Sequence, residues 1–165
     1  MIAKVYRAEN ADIAAAYGIV KEYYEAAAVV VREDLERFAK DYFADGAGVW
    51  LAEEDGKIIG CVALRKLSGK AGCGEIKRLY VRPELRGRGI ADRLVEALEQ
   101  YAKECGYEWL YLDTAVEMKA AARFYEKRGF EPCGRYNENP QAAIFMRKRL
   151  ARGPSSSASR FEKRF

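Results

Sequence analysis

Apolar and polar residues change period several times along the chain, and each change marks an element. Residues 2 to 7 alternate as a strand does, where successive side chains leave opposite faces. Ile13, Tyr17, Val20 and Tyr24 then recur at spacings of four, three and four, the stripe of an amphipathic helix, with Asn10 as its predicted N-cap. Leu35, Phe38 and Tyr42 keep this period in a second helix that stops at Gly46-Ala47-Gly48. Beyond that break, Val49 to Ala52 and Ile58 to Leu64 flank Asp55-Gly56, a hairpin signal.

A polar stretch from Ser68 to Gly74 leads into Glu75-Ile76-Lys77-Arg78-Leu79-Tyr80-Val81, a strand closed by Pro83. The strands to this point are read as antiparallel. A helix starting near Gly87 to Ile90 carries Ile90, Leu94, Leu98, Ala102 and Cys105 on one face and ends at Gly106. Trp109 to Leu112 is wholly apolar, as expected of a buried strand parallel to the one before the helix. A last helix over Met118 to Arg128, a short strand at Phe130 to Cys133 and a final strand at Ala143 to Leu150 complete the pattern. This is a mixed, mostly antiparallel sheet with one β-α-β unit. Residues 1–150 are read as one domain and 151–165, Ser-rich and without periodicity, as a flexible basic tail.

Composition narrows the chemistry. The 165 residues include no histidine, which removes the usual general base and the commonest metal ligand and excludes Ser-His and Cys-His mechanisms. Cys61, Cys73, Cys105 and Cys133 are widely spaced with no C-x-x-C pair, so neither a disulfide nor a metal site is indicated. Of the net charge of +4, the tail holds +3, from Arg152, Arg160, Lys163 and Arg164 against Glu162. The nearly neutral body argues against a nucleic-acid partner. No apolar run is long enough to span a membrane, and a cytoplasmic location is expected.

The segment Arg82-Pro83-Glu84-Leu85-Arg86-Gly87-Arg88-Gly89 joins a strand to a helix. Its glycines let backbone N–H groups converge, the helix N-terminus adds roughly half a positive charge, and the arginines add side-chain donors. It reads as a site for an anion such as a diphosphate. A mononucleotide P-loop would need Lys and Ser or Thr after Gly89, and a Rossmann fingerprint would need glycine where Asp92 stands. An arginine-rich loop that merely caps a helix fits equally well on these residues alone.

The loop resembles motif A of the GCN5-related N-acetyltransferase (GNAT) superfamily, R/Q-x-x-G-x-G/A, with Arg86, Gly89 and Ala91 on its defined positions. Glu75 to Val81 resembles the family's fourth strand, Ala121 to Phe130 (A-A-R-F-Y-E-K-R-G-F) its motif B, and Ala143 to Leu150 its closing strand. The resemblance runs from residue 2 to residue 150. It implies an α/β (α+β) acyl-CoA N-acyltransferase fold: six or seven strands, about four helices, and a splayed pair at the fourth and fifth strands.

Its functional implication is transfer of an acetyl group from acetyl-CoA to a primary amine by direct attack in a ternary complex. Arg86, Gly87, Arg88, Gly89, Ile90 and Ala91 would hold the pyrophosphate. Backbone amides of Leu79, Tyr80 and Val81, freed by a bulge, would bond the pantetheine and the thioester carbonyl. Tyr125 would protonate the leaving thiolate, with Phe124 packing against the pantetheine. Glu75 would serve as the base; its other reading is a solvent-facing partner of Lys77 or Arg78. Tyr136 and Asn137, in a loop that overhangs the acceptor groove in this fold, would select substrate or form an ordinary turn. Met118 stands where the family often has Asn, and Thr114 or Asp113 would compensate for that lost cofactor contact. No metal is implied, the acceptor is a small-molecule or peptide amine, and a homodimer is left open. Two competing readings are a silent acyl-CoA-binding module and a nucleic-acid binder using the tail.

Overall fold

The positions at which the period changes become seven strands and four α-helices in a computed structural model that describes residues 2–28, 33–115 and 119–151. Met118 and residues 152–165 of the expected tail lie outside the described residues. The strands are β1 (Lys4–Arg7), β2 (Gly48–Glu54), β3 (Lys57–Lys66), β4 (Cys73–Val81), β5 (Trp109–Thr114), β6 (Glu131–Pro132) and β7 (Ile144–Arg149). The helices are α1 (Ile13–Ala27), α2 (Leu35–Tyr42), α3 (Ile90–Cys105) and α4 (Lys119–Lys127). Strand order is β1-β2-β3-β4-β5-β7-β6, a mixed sheet in which the β4 and β5 pair is parallel. The chain divides into two compact units: residues up to Lys66 with Ile76–Ala102, and Leu67–Glu75 with the described residues from Lys103 onward. β4 begins in the second and continues in the first.

In the first unit β1, β2 and β3 pair antiparallel, with Tyr6 opposite Leu51 and Leu51 opposite Cys61. The β2–β3 turn holds Asp55 at φ 52° and Gly56 at φ 75°, the two left-handed residues that let a tight turn follow the twist of its strands. One face buries Val49, Leu51, Cys61 and Ala63 against Ala16, Ile19, Val20 and Tyr24 of α1 and Phe38 and Tyr42 of α2. Each fully buried side chain of this size contributes about 1.5–3 kcal/mol. The α1 stripe is turned from the expected one: Ala16 and Ile19 are buried, whereas Ile13 and Tyr17 are half-buried. Asn10 is not the N-cap; it opens a short 3-10 turn, Asn10–Asp12, held by reciprocal bonds between Glu9 and Asp12. The Asp12 carboxylate reaches back to the Glu9 amide at 2.8 Å, which the shorter path from Asn10 does not offer. In α3, Ile90, Leu94, Val95, Leu98 and Ala102 are buried, but Cys105 is exposed.

In the second unit β5 and β7 pair antiparallel, placing Tyr111 opposite Arg147 and Asp113 opposite Phe145 on one face. The other face buries Leu110, Leu112 and Met146. The run Tyr125-Glu126-Lys127-Arg128-Gly129-Phe130 ends α4 in a Schellman motif. Gly129, at φ 95°, donates to the Glu126 carbonyl, and Phe130 donates to the Tyr125 carbonyl, both at 3.0 Å. The hydrophobic contact that accompanies the motif is Tyr125 against Phe130, ring centroids 5.2 Å apart. The helix stop thus also fixes the Tyr125 ring.

Candidate active site

β4 departs from strand geometry at one residue. Arg78 has φ 60°, the left-handed region that costs a side-chain-bearing residue about 1–2 kcal/mol, so its neighbours must over-determine it. Its Nε donates to the Tyr24 hydroxyl at 2.8 Å and its Nη2 pairs with Glu33 at 3.3 Å, while Tyr24 donates to the same Glu33 carboxylate. Its carbonyl accepts from the Cys61 thiol at 3.2 Å. This irregularity lies directly before Leu79, Tyr80 and Val81, where the resemblance implies a bulge. The clamp residues Arg78, Tyr24 and Glu33 had no signal in the sequence, because the period of β4 does not reveal which of its residues leaves the strand conformation.

Past Arg78, Leu79 is half-buried and Tyr80 and Val81 are buried. The Tyr80 hydroxyl donates to Glu22 at 3.0 Å, and Arg82 pairs with the same carboxylate at 3.0 Å. A Cβ on Gly60 of β3 would lie 2.8 Å from the Tyr80 carbonyl oxygen, so only glycine lets β3 approach β4 there.

The Arg86 to Ala91 loop follows. Gly87 and Gly89 have φ 80° and 79°, and a Cβ built on either would meet nothing within 4 Å. That open space, next to the amides that begin α3, fits a diphosphate, since the first-turn amides of a helix lack acceptors within it. Ile90 is buried and anchors the helix start, and the backbone amide of Arg93 donates to the Gly89 carbonyl at 3.2 Å. The arginine side chains are arranged differently from the expectation. Arg86 donates its Nε to the Val81 carbonyl at 2.9 Å, and Arg88 pairs with Glu54 at 2.6 Å, holding that carboxyl below its ordinary range. Both contacts bind the loop to its own unit.

In the second unit, Glu75 is 2% exposed, which overturns its solvent-facing reading. The Tyr136 hydroxyl donates to its Oε2 at 2.7 Å, and Asn137 Nδ2 donates to the same atom at 3.2 Å and to Asp113 Oδ2 at 2.6 Å. Asn139 Nδ2 adds a bond to Asp113 at 3.3 Å. Arg135 pins the loop by donating to the carbonyls of Asn137, Asn139 and Ala142, and it stacks 4.7 Å from the Phe145 ring centre. Burial pushes the Tyr136 phenol above its ordinary value, and Glu75 and Asp113 add to the shift, so it remains a donor. The loop is a turn and also the holder of two carboxyls. Tyr136 and Asn137 line a groove of about 530 Å³ together with Tyr111, Cys133, Lys70 and Arg147.

The sequence profile described as the acetyltransferase (GNAT) family matches residues 13–130. The chain belongs to this family. An uncharacterised N-acetyltransferase of Schizosaccharomyces pombe is 39% identical over 101 residues, which is 61% of this chain and 61% of that protein. The match thus spans about three fifths of the yeast relative. A GNAT acetyltransferase from Staphylococcus aureus shares the fold with TM-score 0.78 and 19% identity, over 90% of this chain and 99% of that one. A phosphinothricin acetyltransferase from Sinorhizobium meliloti, solved with AcCoA, shares it with TM-score 0.73 and 20% identity, over 94% and 92%.

In this GNAT chain Tyr125 is 5% exposed, with half-buried Phe124 edge-on to its ring at 5.2 Å. Thr114 is half-buried and its carbonyl accepts from the Ala143 amide at 2.9 Å, closing the end of the β5–β7 pair. Asn139 was missed as a member of the Glu75 cluster; its place in a run of turn-forming residues was the available signal. Among the described residues no group of His, Cys, Asp and Glu is arranged to hold a metal ion, and no helix is long and apolar enough to cross a membrane.

Proposed function

We propose that the chain is an acetyl-CoA-dependent N-acetyltransferase that acts on a primary amine by direct attack in a ternary complex. The observation that carries this reading is the single left-handed residue Arg78 in β4, followed within the same unit by the open glycine loop at the start of α3. Family membership supplies the chemistry such a pair serves. Acetyl-CoA, when bound, supplies a thioester carbonyl as electrophile.

The residues of the chain have separable tasks. Amides from Gly87 to Ala91 hold the diphosphate, and those of Leu79, Tyr80 and Val81 beyond the bulge are the donors for the carrier arm and the acyl carbonyl. Such donors, fixed before reaction, contribute about 3–4 kcal/mol each when aimed at developing charge. Phe124 and Thr114 flank the carrier arm. Tyr125 holds the proton that the thiol requires, and its ring is already fixed by the Schellman contact with Phe130.

Glu75 is the base, and its burial defines how it works. Tyr136 lines the groove, and its oxygen accepts a proton from the acceptor's ammonium as its own proton passes to Glu75 Oε2. Burial pushes the Cys133 thiol upward from its ordinary value, and Cys61 and Cys73 are shifted the same way for the same reason. A protonated thiol is a poor nucleophile, which favours direct attack over an acyl-cysteine route.

The test is release of free CoA from acetyl-CoA in the presence of an amine panel. Wild-type protein is expected to release it, and Tyr125→Phe to lower kcat by about 10²-fold with CoA binding retained. Binding of CoA with no release across the panel would instead identify a silent module.

A further inference from the structure

Tyr111 and Arg147 are direct cross-strand partners, so both side chains leave the same face of β5 and β7. Arg147 Nη1 lies 3.5 Å from the Tyr111 hydroxyl, and its guanidinium stacks 4.5 Å from the Trp109 ring centre. The Lys70 ammonium stands 5.6 Å from the Tyr111 ring centre. Two cations from different segments therefore approach one tyrosine in the groove wall. Cys133, in the same wall, feels both, since Arg147 and Lys70 each oppose the upward push of burial on its thiol.

Their counter-charges are weak. Glu131 lies 3.4 Å from Arg147 Nε but its side chain is 61% exposed, so water screens the pair, and Glu138 is an exposed loop residue. Beyond the rings the groove is lined by Tyr136, Asn137, Glu138 and Arg135, whose guanidinium is engaged by the carbonyls of its own loop. The Tyr136 ring is 5.1 Å from Tyr111, and behind it lie the carboxyls of Glu75 and Asp113. A groove with Lys70 and Arg147 on one side of two rings and, on the other, a tyrosine hydrogen-bonded to a buried carboxylate suits a ligand with an anion at one end and a proton donor at the other. A polyamine would set positive charge against Lys70 and Arg147, and an amine with no acidic group would add nothing to the water-screened Glu131.

We propose that the acceptor is a primary amine that also carries a carboxylate, the ammonium meeting Tyr136 and the carboxylate meeting Arg147 and Lys70 beside Tyr111. Two rings separate the ends, which favours a carboxylate several bonds from the amine. The inference rests on the acetyltransferase reading and names the substrate class of that site.

Paired probes that differ only in the charge test it: γ-aminobutyrate against γ-aminobutyramide, and glycylglycine against glycylglycinamide. The acid is expected to exceed the amide in kcat/KM by about tenfold or more, as charge-assisted contacts are worth that much. Arg147→Gln, and separately the exposed Lys70→Gln, should bring the ratio toward one. Equal values for acid and amide in wild type, a ratio that survives both variants, or a loss of CoA affinity in place of the ratio would overturn it. Calorimetric binding of the same probes with CoA present keeps the two claims apart. Preference for the acid without any turnover would sustain this inference and refute the acetyltransferase reading. Turnover without preference would do the reverse.

Discussion

The Tyr136 hydroxyl donates a 2.7 Å hydrogen bond to Oε2 of Glu75, and it is the Tyr136 side of this pair that lines the groove. Tyr136→Phe keeps the ring and removes the link, so kcat should fall about 10²-fold, as for loss of a general base, and Glu75→Gln should fall by a similar factor. The deficit should be largest at neutral and lower pH, where an amine arrives protonated, and should narrow as pH approaches the amine's own value near 10. Rates of the two single variants and the double variant, measured across pH, check this; additive losses in the double variant would separate the two residues.

The Arg78 clamp makes a stability prediction. The side chains of Arg78 and Glu33 are 19% and 8% exposed, so Arg78→Ala would strand a nearly buried carboxylate together with the Tyr24 hydroxyl. Breaking such a pair costs about 3–5 kcal/mol. Chemical denaturation of Arg78→Ala, Glu33→Ala and the double variant should show the second substitution costing much less than it does alone. Losses that simply add would mean the clamp is not a unit.

Gly89 separates cofactor binding from folding. At φ 79°, alanine costs about 1–2 kcal/mol in backbone strain, and its methyl enters the open space assigned to the diphosphate. Gly89→Ala should lower CoA affinity at least about tenfold while leaving the far-ultraviolet circular dichroism spectrum native. Calorimetric titration with CoA gives the affinity, and unchanged binding would move the cradle elsewhere.

Alkaline titration reads the buried phenols. Burial raises Tyr24 and Tyr136 above their ordinary value, each with a carboxylate partner adding to the shift. A phenol raised in the folded state stabilises the fold fully below its unfolded value near 10, and this contribution is lost as pH rises above that. Of the 11 tyrosines, these two should ionise only as the protein unfolds. Tyr24→Phe together with Tyr136→Phe should flatten the fall in stability above about pH 10. All tyrosines titrating together near 10 in the native state would contradict the burial argument.

Much of this was legible beforehand, for identifiable reasons. The Asp55-Gly56 turn, the Gly129 helix stop and the paired glycines at 87 and 89 are encoded locally, by residues that adopt left-handed backbone at little cost. Periodicity located α2 through Phe38 and Tyr42, although Leu35 at its start is exposed, and the core of α3 through Ile90, Leu94, Leu98 and Ala102. The turned stripe of α1 escaped notice because tyrosines at positions 17, 23 and 24 offer several apolar faces. The Glu75 cluster and the Arg78 clamp escaped for a different reason. Each joins residues dozens of positions apart, Glu75 to Tyr136 and Arg78 to Tyr24, and no spacing rule connects them. Charge counted along the chain likewise gave a neutral body, whereas folding gathers Lys70 and Arg147 in one groove wall and buries Glu75 behind Tyr136.

The most direct test is mass spectrometry of protein and amines after incubation with acetyl-CoA. The account predicts an acetylated amine whose formation falls about 10²-fold in Tyr125→Phe, with the protein's own mass unchanged when acetyl-CoA is supplied alone. An acetyl adduct on the protein in the absence of amine, or no acetylated product from any carboxylate-bearing or neutral amine, would contradict it.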